Sequence, residues 1–197
     1  PPLVIFAEEN ALPYRIIGRG TNVLFTDKGF RGLIIKNLTK NCRVEGDEIT
    51  SDSGVLFPKF LAQRRIVPGI KVDEGLENFE NSNEQYTKGL VGLGERLEKY
   101  KKYGCRFAKW RAVYSISETT PTEMAIKKNA QDLAKYAKIC QEHGMVPIVE
   151  PEVLIDGTHS IDTCYKVTEK VLREVFAALK KENVMIDCII LKPSMVI

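Results

Sequence analysis

The amino-acid sequence predicts an α/β protein, in which four βα units share a parallel sheet and follow a small α+β segment rich in glycine. Two observations support this fold class. From Ile66 onward, apolar strand-like runs alternate with long amphipathic helices, which is typical of a parallel sheet with right-handed crossovers. Before that point the runs are short and β-rich. The change occurs near Gln63 without a Gly/Ser/Pro linker, so we predict two domains, residues 1–63 and 64–197.

The first domain is predicted from short β-rich runs that glycine-containing turns separate. Three of the runs indicate strands, and a turn at Glu45-Gly46-Asp47 indicates a hairpin. The predicted elements are the strands Tyr14–Ile17, Val23–Phe25 and Leu33–Ile35, a hairpin over Arg43–Ser53 and the start of a helix over Val55–Ala62.

The second domain is predicted from longer alternating elements. The first helix is expected over Asn83–Tyr103, because leucines recur on one stripe. The second is expected to begin with Thr120 as N-cap and Pro121 in its first turn, and to end at His143-Gly144. The third is expected over Ile161–Glu182, where apolar residues recur at helical spacing. The predicted strands are Ile66–Val72, Phe107–Tyr114, Val146–Val153 and Cys188–Met195.

Composition excludes several classes of protein. The chain has 197 residues, 44% hydrophobic and 28% charged, which is ordinary for a globular protein and argues against disorder. Its net charge of +3 gives no electrostatic footprint for nucleic acid. No apolar run approaches the roughly 18 residues of a membrane span, and no signal peptide is visible. We expect a cytoplasmic protein with neither nucleic-acid nor membrane partners. Because the chain begins Pro1-Pro2 without Met, we expect it to be processed, excised or incompletely represented.

Cysteine and histidine usage argues against disulfide and metal frameworks. The chain has five cysteines, an odd number, and no C-x-x-C pair. We therefore expect reduced thiols rather than a disulfide-bonded secreted domain or a zinc knuckle. The two histidines are well separated, which argues against a His-rich metal site.

Charged residues lie near the carboxyl end of each predicted strand of the second domain. Residues two apart share a face of a strand, so each strand places its charges on one face. Successive strands carry them at intervals of 38, 41 and 42 residues, counted from Lys71 through Lys109 and Glu150 to Lys192. In a (β/α) barrel these positions converge at the carboxyl-terminal mouth, where barrel enzymes hold their chemistry. The full set is Lys71, Asp73, Lys109, Arg111, Glu150, Glu152 and Lys192.

This set suggests a reactive amine. Isolated buried ions cost several kcal/mol each, so a cluster persists only when its members are paired or functional. Excess positive charge and partial desolvation would lower the pKa of at least one lysine. A lysine that is deprotonated near neutral pH can form a Schiff base with a carbonyl, and nearby carboxylates can move the protons. The remaining cations suit an anionic, phosphorylated substrate.

A purely structural explanation also fits most of these residues. Strand-end lysines are commonly solvated, which would account for Lys71 and Lys192. Either glutamate could be a salt-bridge partner, and Asp73 and Arg111 could simply pair with neighbours. Lys109 fits this explanation less well, because it lies in the middle of an apolar strand.

Four motifs carry a family resemblance. They are Gly69-Ile-Lys-Val-Asp73, Phe107-Ala-Lys-Trp-Arg111, Val146-Pro-Ile-Val-Glu-Pro-Glu152 and Leu191-Lys-Pro-Ser-Met195. In this order they closely resemble class I fructose-1,6-bisphosphate aldolase, from about Arg65 to Ile197. The resemblance implies a partial (β/α) TIM barrel, comprising what look like the third to sixth of eight strands.

The resemblance also implies an activity and residue roles. The family is a glycolytic lyase that interconverts fructose 1,6-bisphosphate with dihydroxyacetone phosphate and glyceraldehyde 3-phosphate, without metal or organic cofactor. Lys192 would form the Schiff base, Glu150 would act as acid/base, Lys109 would assist carbinolamine chemistry and Glu152 would support the lysine network. Substrate phosphate or hydroxyl groups would be bound by Lys71, Arg111 and Asp73.

The chain departs from the family pattern in several places. Ser194 stands where Asn is more often found. The first-strand Asp that handles C–C cleavage, and the strands that carry the other phosphate site, have no counterpart. We therefore expect open sheet edges, a tendency to form oligomers, and a fragment that can be inactive as an aldolase.

The first domain carries a separate resemblance. A Gly-x-Gly turn follows a predicted strand, and such a turn can form an anion-binding nest. It lacks the third glycine of the dinucleotide fingerprint, and a hairpin without a ligand is the alternative. The stretch resembles the FAD-binding subdomain of UDP-N-acetylenolpyruvoylglucosamine reductase, which implies that Gly18, Gly20, Thr21 and Asn22 contact a flavin pyrophosphate. Two unrelated families that meet without a linker indicate a chimeric chain, so a flavin-binding module and a non-catalytic chimeric fragment are the alternative functions.

Overall fold

A computed structural model describes residues 2–17, 32–36, 42–45, 48–51 and 57–196. The chain divides into two compact units, Pro1–Phe60 and Leu61–Ile197, and each is described by itself. Among the described residues, no helix combines the length and the apolar character that crossing a membrane requires.

The first unit contains short strands in two small sheets. The helix α1 (Pro2–Glu9) precedes a parallel pair, β1 (Tyr14–Ile17) and β2 (Leu33–Lys36). An antiparallel hairpin follows, formed by β3 (Cys42–Glu45) and β4 (Glu48–Ser51). The next helix, α2, spans Phe57–Gln63. The predicted strand Val23–Phe25 lies outside the described residues.

The second unit is built on a four-stranded parallel sheet. Its strands are neighbours in the order in which they occur along the chain, and each of the three connections between them contains a helix. This arrangement confirms the predicted α/β fold with a parallel sheet. The strands are β5 (Gly69–Lys71), β8 (Phe107–Tyr114), β9 (Val146–Val153) and β10 (Ile190–Leu191), and the helices are α3 (Leu93–Lys102), α4 (Glu123–Glu142) and α5 (Ile161–Lys181).

Alternation along β8 separates a core face from a charged face. Ala108, Trp110, Ala112 and Tyr114 are buried, whereas the intervening side chains are partly exposed. Trp110 stacks on Tyr136 of α4 with 5.4 Å between ring centroids. The Tyr136 hydroxyl donates a hydrogen bond of 2.7 Å to the Ala108 carbonyl, which fixes α4 against the sheet. The opposite face is therefore partly exposed, and it carries both charged side chains of β8.

The predicted helix over Asn83–Tyr103 is wrong in its first half. An antiparallel hairpin, β6 (Leu76–Asn78) and β7 (Gln85–Thr87), precedes α3, which begins only at Leu93. Gly89 and Gly92 have φ values of +120° and +65°, which a right-handed helix does not accommodate. The hairpin docks on the sheet because the Thr87 hydroxyl donates a hydrogen bond of 2.6 Å to the Arg111 carbonyl.

The other predicted boundaries differ by a few residues. The N-cap of α4 is Thr122 rather than Thr120, since the Thr122 hydroxyl accepts the Ala125 N–H. Buried Glu84 holds Thr122 there by accepting its N–H at 2.8 Å and its hydroxyl at 2.6 Å. The last strand spans only Ile190–Leu191, because Cys188 belongs to a 3-10 turn over residues 186–188 and regular pairing ends after Leu191.

Candidate active site

Strand register brings the charged residues together at one end of the sheet. Lys71 lies beside Lys109 in the β5–β8 pairing, and Arg111 lies beside Glu150 in the β8–β9 pairing. Lys192 directly follows β10, and its N–H continues the ladder by donating to the Val149 carbonyl at 2.9 Å. Because all four strands are parallel, these side chains lie side by side, at the ends of β5 and β10 and midway along β8 and β9.

Glu150 is the centre of the cluster. Its side chain is only 5% exposed, and it contacts two ammonium groups. Lys192 Nζ forms a hydrogen-bonded ion pair with Oε1, and Lys109 Nζ lies 2.8 Å from Oε2. Burial raises the pKa of Glu150, but the hydrogen bonds and charges of Lys109 and Lys192 outweigh that effect and hold the pKa below its usual value. Glu150 is thus an ionised carboxylate placed to exchange protons with an amine.

Two further ion pairs flank this triad. Arg111 Nη1 donates to Glu152 Oε2 at 2.8 Å. Lys71 Nζ pairs with Asp73 Oδ1, while Asp73 Oδ2 is buried and has no hydrogen-bond partner among the described residues. Each flanking pair is neutral overall, so the positive excess of the cluster lies with the two lysines on Glu150.

The structure brings all seven predicted site residues into three contact groups. Neighbour pairing, the alternative explanation for Asp73 and Arg111, is what the structure contains. That explanation does not describe Glu150, because its carboxylate contacts two lysines from different strands rather than one neighbour. Lys192 keeps a side-chain exposure of 58%, so its amine is accessible to a carbonyl compound while it contacts a buried carboxylate.

Two supporting residues were not predicted. Thr87 fixes the backbone of Arg111, but its hairpin was expected to be helical, so the sequence carried no signal for that contact. The Ser194 hydroxyl accepts the Val153 N–H at 3.0 Å, which ties the segment after Lys192 to the end of β9. A signal for this contact does exist in the sequence, in Pro151, which interrupts backbone pairing.

Metal and flavin sites are separate questions in the part of the chain that the structure describes. No cluster of three or more His, Cys, Asp or Glu side chains that could hold a metal ion occurs in this part of the chain. The residues predicted to bind FAD lie outside the described residues, and they are Gly18, Gly20, Thr21 and Asn22.

Comparison with known proteins assigns a family to the chain from residue 47 onward. The family model of fructose-bisphosphate aldolase class-I matches residues 47–197. A probable fructose-bisphosphate aldolase class 1 of Xanthomonas campestris is 53% identical over 73% of this chain and 43% of its own length. Fructose-bisphosphate aldolase C of Carassius auratus is 52% identical over 74% of this chain and 40% of its own length.

A solved structure agrees with the sequence comparisons. A co-crystal structure of fructose-bisphosphate aldolase from Plasmodium falciparum has a TM-score of 0.70 and 48% identity, and it covers 75% of this chain and 43% of that chain. The chain therefore spans less than half the length of the relatives that it matches. The family match, which covers most of the chain, and the identities near 50% lead to one conclusion: the chain belongs to the class I fructose-bisphosphate aldolase family.

Proposed function

We propose that this chain carries the imine-forming part of a class I fructose-bisphosphate aldolase site, a lyase activity of glycolysis. The observation that supports the proposal is the bridge from one buried carboxylate, Glu150, to two ammonium groups from neighbouring strands. A lysine whose proton can pass to an adjacent carboxylate is a nucleophile for carbonyl carbon.

The proposed chemistry proceeds through a covalent imine on Lys192. The neutral amine attacks the C2 carbonyl carbon of the ketose, and a new C–N bond forms while the carbonyl oxygen takes up a proton. The resulting carbinolamine loses water and leaves an iminium ion. Glu150 accepts the proton that the amine releases and returns one to the departing hydroxyl group. Lys109 lies against the same carboxylate and stabilises the developing negative charge on oxygen.

The iminium ion makes a further electron sink unnecessary. It withdraws electrons from the adjacent carbon atoms, which is the role that a metal or an organic cofactor has in related reactions. We therefore propose a mechanism that uses no metal and no organic cofactor. Glu152 supports the lysine network indirectly, since it neutralises Arg111 beside Glu150.

The flanking pairs are proposed to bind the substrate. Lys71 and Arg111 have side-chain exposures of 56% and 41%, so phosphate oxygens can replace their carboxylate partners without deep rearrangement. The buried Asp73 Oδ2 offers an unused acceptor for a sugar hydroxyl. The proposed substrates are the phosphorylated sugars fructose 1,6-bisphosphate, dihydroxyacetone phosphate and glyceraldehyde 3-phosphate.

Imine trapping tests this proposal directly. The chain is incubated with dihydroxyacetone phosphate and sodium borohydride, digested, and sequenced by mass spectrometry. We expect the reduced adduct on Lys192, and no adduct when the phosphate ester is left out. The variant Lys192→Arg should lose the adduct and keep its fold, as measured by circular dichroism. Equal labelling of exposed lysines, or none on Lys192, would show that the proposal is wrong.

C–C bond cleavage is a separate step. It needs a group that takes the proton of the C4 hydroxyl, and the resemblance assigns that role to an Asp without a counterpart here. We therefore expect this chain to form the imine faster than it cleaves fructose 1,6-bisphosphate. A coupled assay for glyceraldehyde 3-phosphate, run beside the trapping experiment, compares the two steps.

The setting of the reaction belongs to the same proposal. An Arabidopsis thaliana relative, 50% identical over 73% of this chain and 37% of its own length, is named a cytosolic aldolase, which supports a cytoplasmic location. We propose no nucleic-acid or membrane partner.

Flavin binding by residues 1–63 is the second proposed function. It is supported by the Gly-x-Gly sequence that directly follows β1 at Ile17, and by the parallel pairing of β1 with β2. Titration with FAD tests it: quenching of the flavin emission is expected, and unchanged emission at high protein concentration would remove this function.

A further inference from the structure

The strand that carries Lys192 is held by few bonds. β10 has two residues, paired with Ile148 and Val149 of β9. Before it, Gln141 of α4 fixes the approach of the chain by accepting the Met185 N–H at 2.9 Å. The last ladder bond runs from the Lys192 N–H to the Val149 carbonyl.

A proline of β9 ends the regular pairing at this lysine. If the register of β10 on β9 is extended, Lys192 lies beside Glu150, and the next residue of β9 would donate its N–H to the Lys192 carbonyl. That residue is Pro151, which has no N–H. The ladder therefore cannot hold the Lys192 carbonyl.

A side-chain contact takes the place of the missing ladder. The Val153 N–H, which an extended ladder would pair with the carbonyl of residue 194, donates instead to the Ser194 hydroxyl at 3.0 Å. Val153 is 1% exposed, and a buried N–H without a partner is rare in folded proteins because it is costly. This bond is therefore a required contact, and it lies two residues past the lysine.

We infer that Ser194 is a positioning residue for Lys192. Its hydroxyl anchors the chain to the end of β9, and the anchor keeps the Lys192 ammonium on the Glu150 carboxylate. Ser194 touches neither of these groups, so it acts through the backbone. The position of the Lys192 side chain is a property of the folded chain and does not depend on the proposed function. Only the expected effect on imine formation rests on the proposed function.

Three substitutions separate the acceptor from the shape of the residue. Ser194→Ala removes the acceptor, whereas Ser194→Thr keeps the hydroxyl and Ser194→Asn supplies an amide oxygen. Hydrogen exchange of the Val153 amide, followed by NMR, measures whether the hydrogen bond to the residue 194 side chain is formed. Reductive methylation by formaldehyde and cyanoborohydride, without any sugar phosphate, measures the accessibility of the Lys192 amine. The exposed Lys135 serves as internal standard in that experiment.

Ser194→Ala should change all three readouts. We expect the Val153 amide to exchange at least about tenfold faster, and Lys192 methylation to rise relative to Lys135. The rate of the borohydride-trapped dihydroxyacetone phosphate adduct should fall by about a hundredfold, since misplacement by about 1 Å has that cost. Ser194→Thr and Ser194→Asn should stay close to the unsubstituted chain in each readout.

The outcomes distinguish this inference from the proposed function. If Ser194→Ala leaves either the Val153 exchange or the Lys192 methylation unchanged, Ser194 does not position Lys192. If trapping is slow in Ser194→Ala and just as slow in Ser194→Thr, which keeps the hydroxyl, the inference is also wrong. If the unsubstituted chain forms no adduct, the proposed function fails, while exchange and methylation still decide whether Ser194 holds Lys192.

Discussion

Replacing Glu150 by Gln tests the central feature of the site. The substitution keeps the volume of the side chain but removes the charge that two ammonium groups share. Removing one partner of a fully buried ion pair costs about 3–5 kcal/mol. Lys109 and Lys192 have side-chain exposures of 26% and 58%, so both can turn toward water. We therefore expect a smaller loss in the free energy of unfolding, about 1–3 kcal/mol.

The same substitution should have a larger effect on chemistry. General acid–base catalysis typically contributes about 10²- to 10⁴-fold, so imine trapping by Glu150→Gln should slow by that range. Asp132→Asn is a matched control, because Asp132 is 4% exposed and pairs with Lys128 on α4. It should lower stability, measured by urea unfolding, and leave trapping unchanged. Trapping at the original rate in Glu150→Gln, or an equal slowing in Asp132→Asn, would refute the reasoning.

Acid should reveal the charge of Glu150 independently. Its pKa in the folded chain lies below the value of about 4.3 for an unfolded glutamate. A group with a depressed folded pKa stabilises the fold above the unfolded pKa, and the contribution is lost as the pH falls through the folded pKa. The stability difference between the unsubstituted chain and Glu150→Gln should therefore shrink below about pH 4. A constant difference down to pH 2 would argue against an ionised Glu150.

Four further predictions concern stability and assembly. Leu179→Ala, at a fully buried site on α5, should lower the free energy of unfolding by about 2–5 kcal/mol in urea; a loss near zero contradicts the packing. Thr122→Ala should cost about 1–2 kcal/mol, and Thr122→Ser much less, because the hydroxyl caps α4 and donates to Glu84. A hydrogen bond from His143 lowers the pKa of Glu98, so the unsubstituted chain should have a larger free energy of unfolding than Glu98→Gln, and this difference should vanish as acid protonates Glu98. A difference that does not change with pH would contradict the prediction. Among the described residues β5 and β10 each pair with one strand only, and such edges should promote oligomers: the mass in sedimentation should rise with concentration, whereas a constant monomer mass would contradict this.

Periodicity in the sequence predicted the sheet and the charged face of its strands. In β8, buried and half-buried residues alternate over the whole strand, so the positions of Lys109 and Arg111 on one face followed from spacing alone. Which atoms would touch did not follow. The ion pair between Glu150 and Lys192 depends on the register of β10 against β9. Spacing along one strand carries no information about the register between two strands.

The errors came from contacts distant in sequence. Leucine spacing favoured a helix from Asn83, but the hydroxyl of Thr87 bonds to the backbone of β8 and Gly89 and Gly92 take left-handed conformations. Likewise, Thr120 fits a capping motif as well as Thr122 does, and the difference is made by Glu84, 38 residues away along the chain. Local propensity is a weak guide wherever such tertiary hydrogen bonds are available.

The stacking of Trp110 on Tyr136 gives the chain a built-in optical reporter. The sequence contains one tryptophan, and its indole ring is fully shielded from water. When Trp110 is excited selectively at the red edge of the absorption band, the emission originates from the unit Leu61–Ile197 and carries no contribution from Pro1–Phe60. A red shift on denaturation records the melting of the aldolase-like unit alone. Ellipticity samples both units, so two non-coincident transitions would measure how independently they unfold.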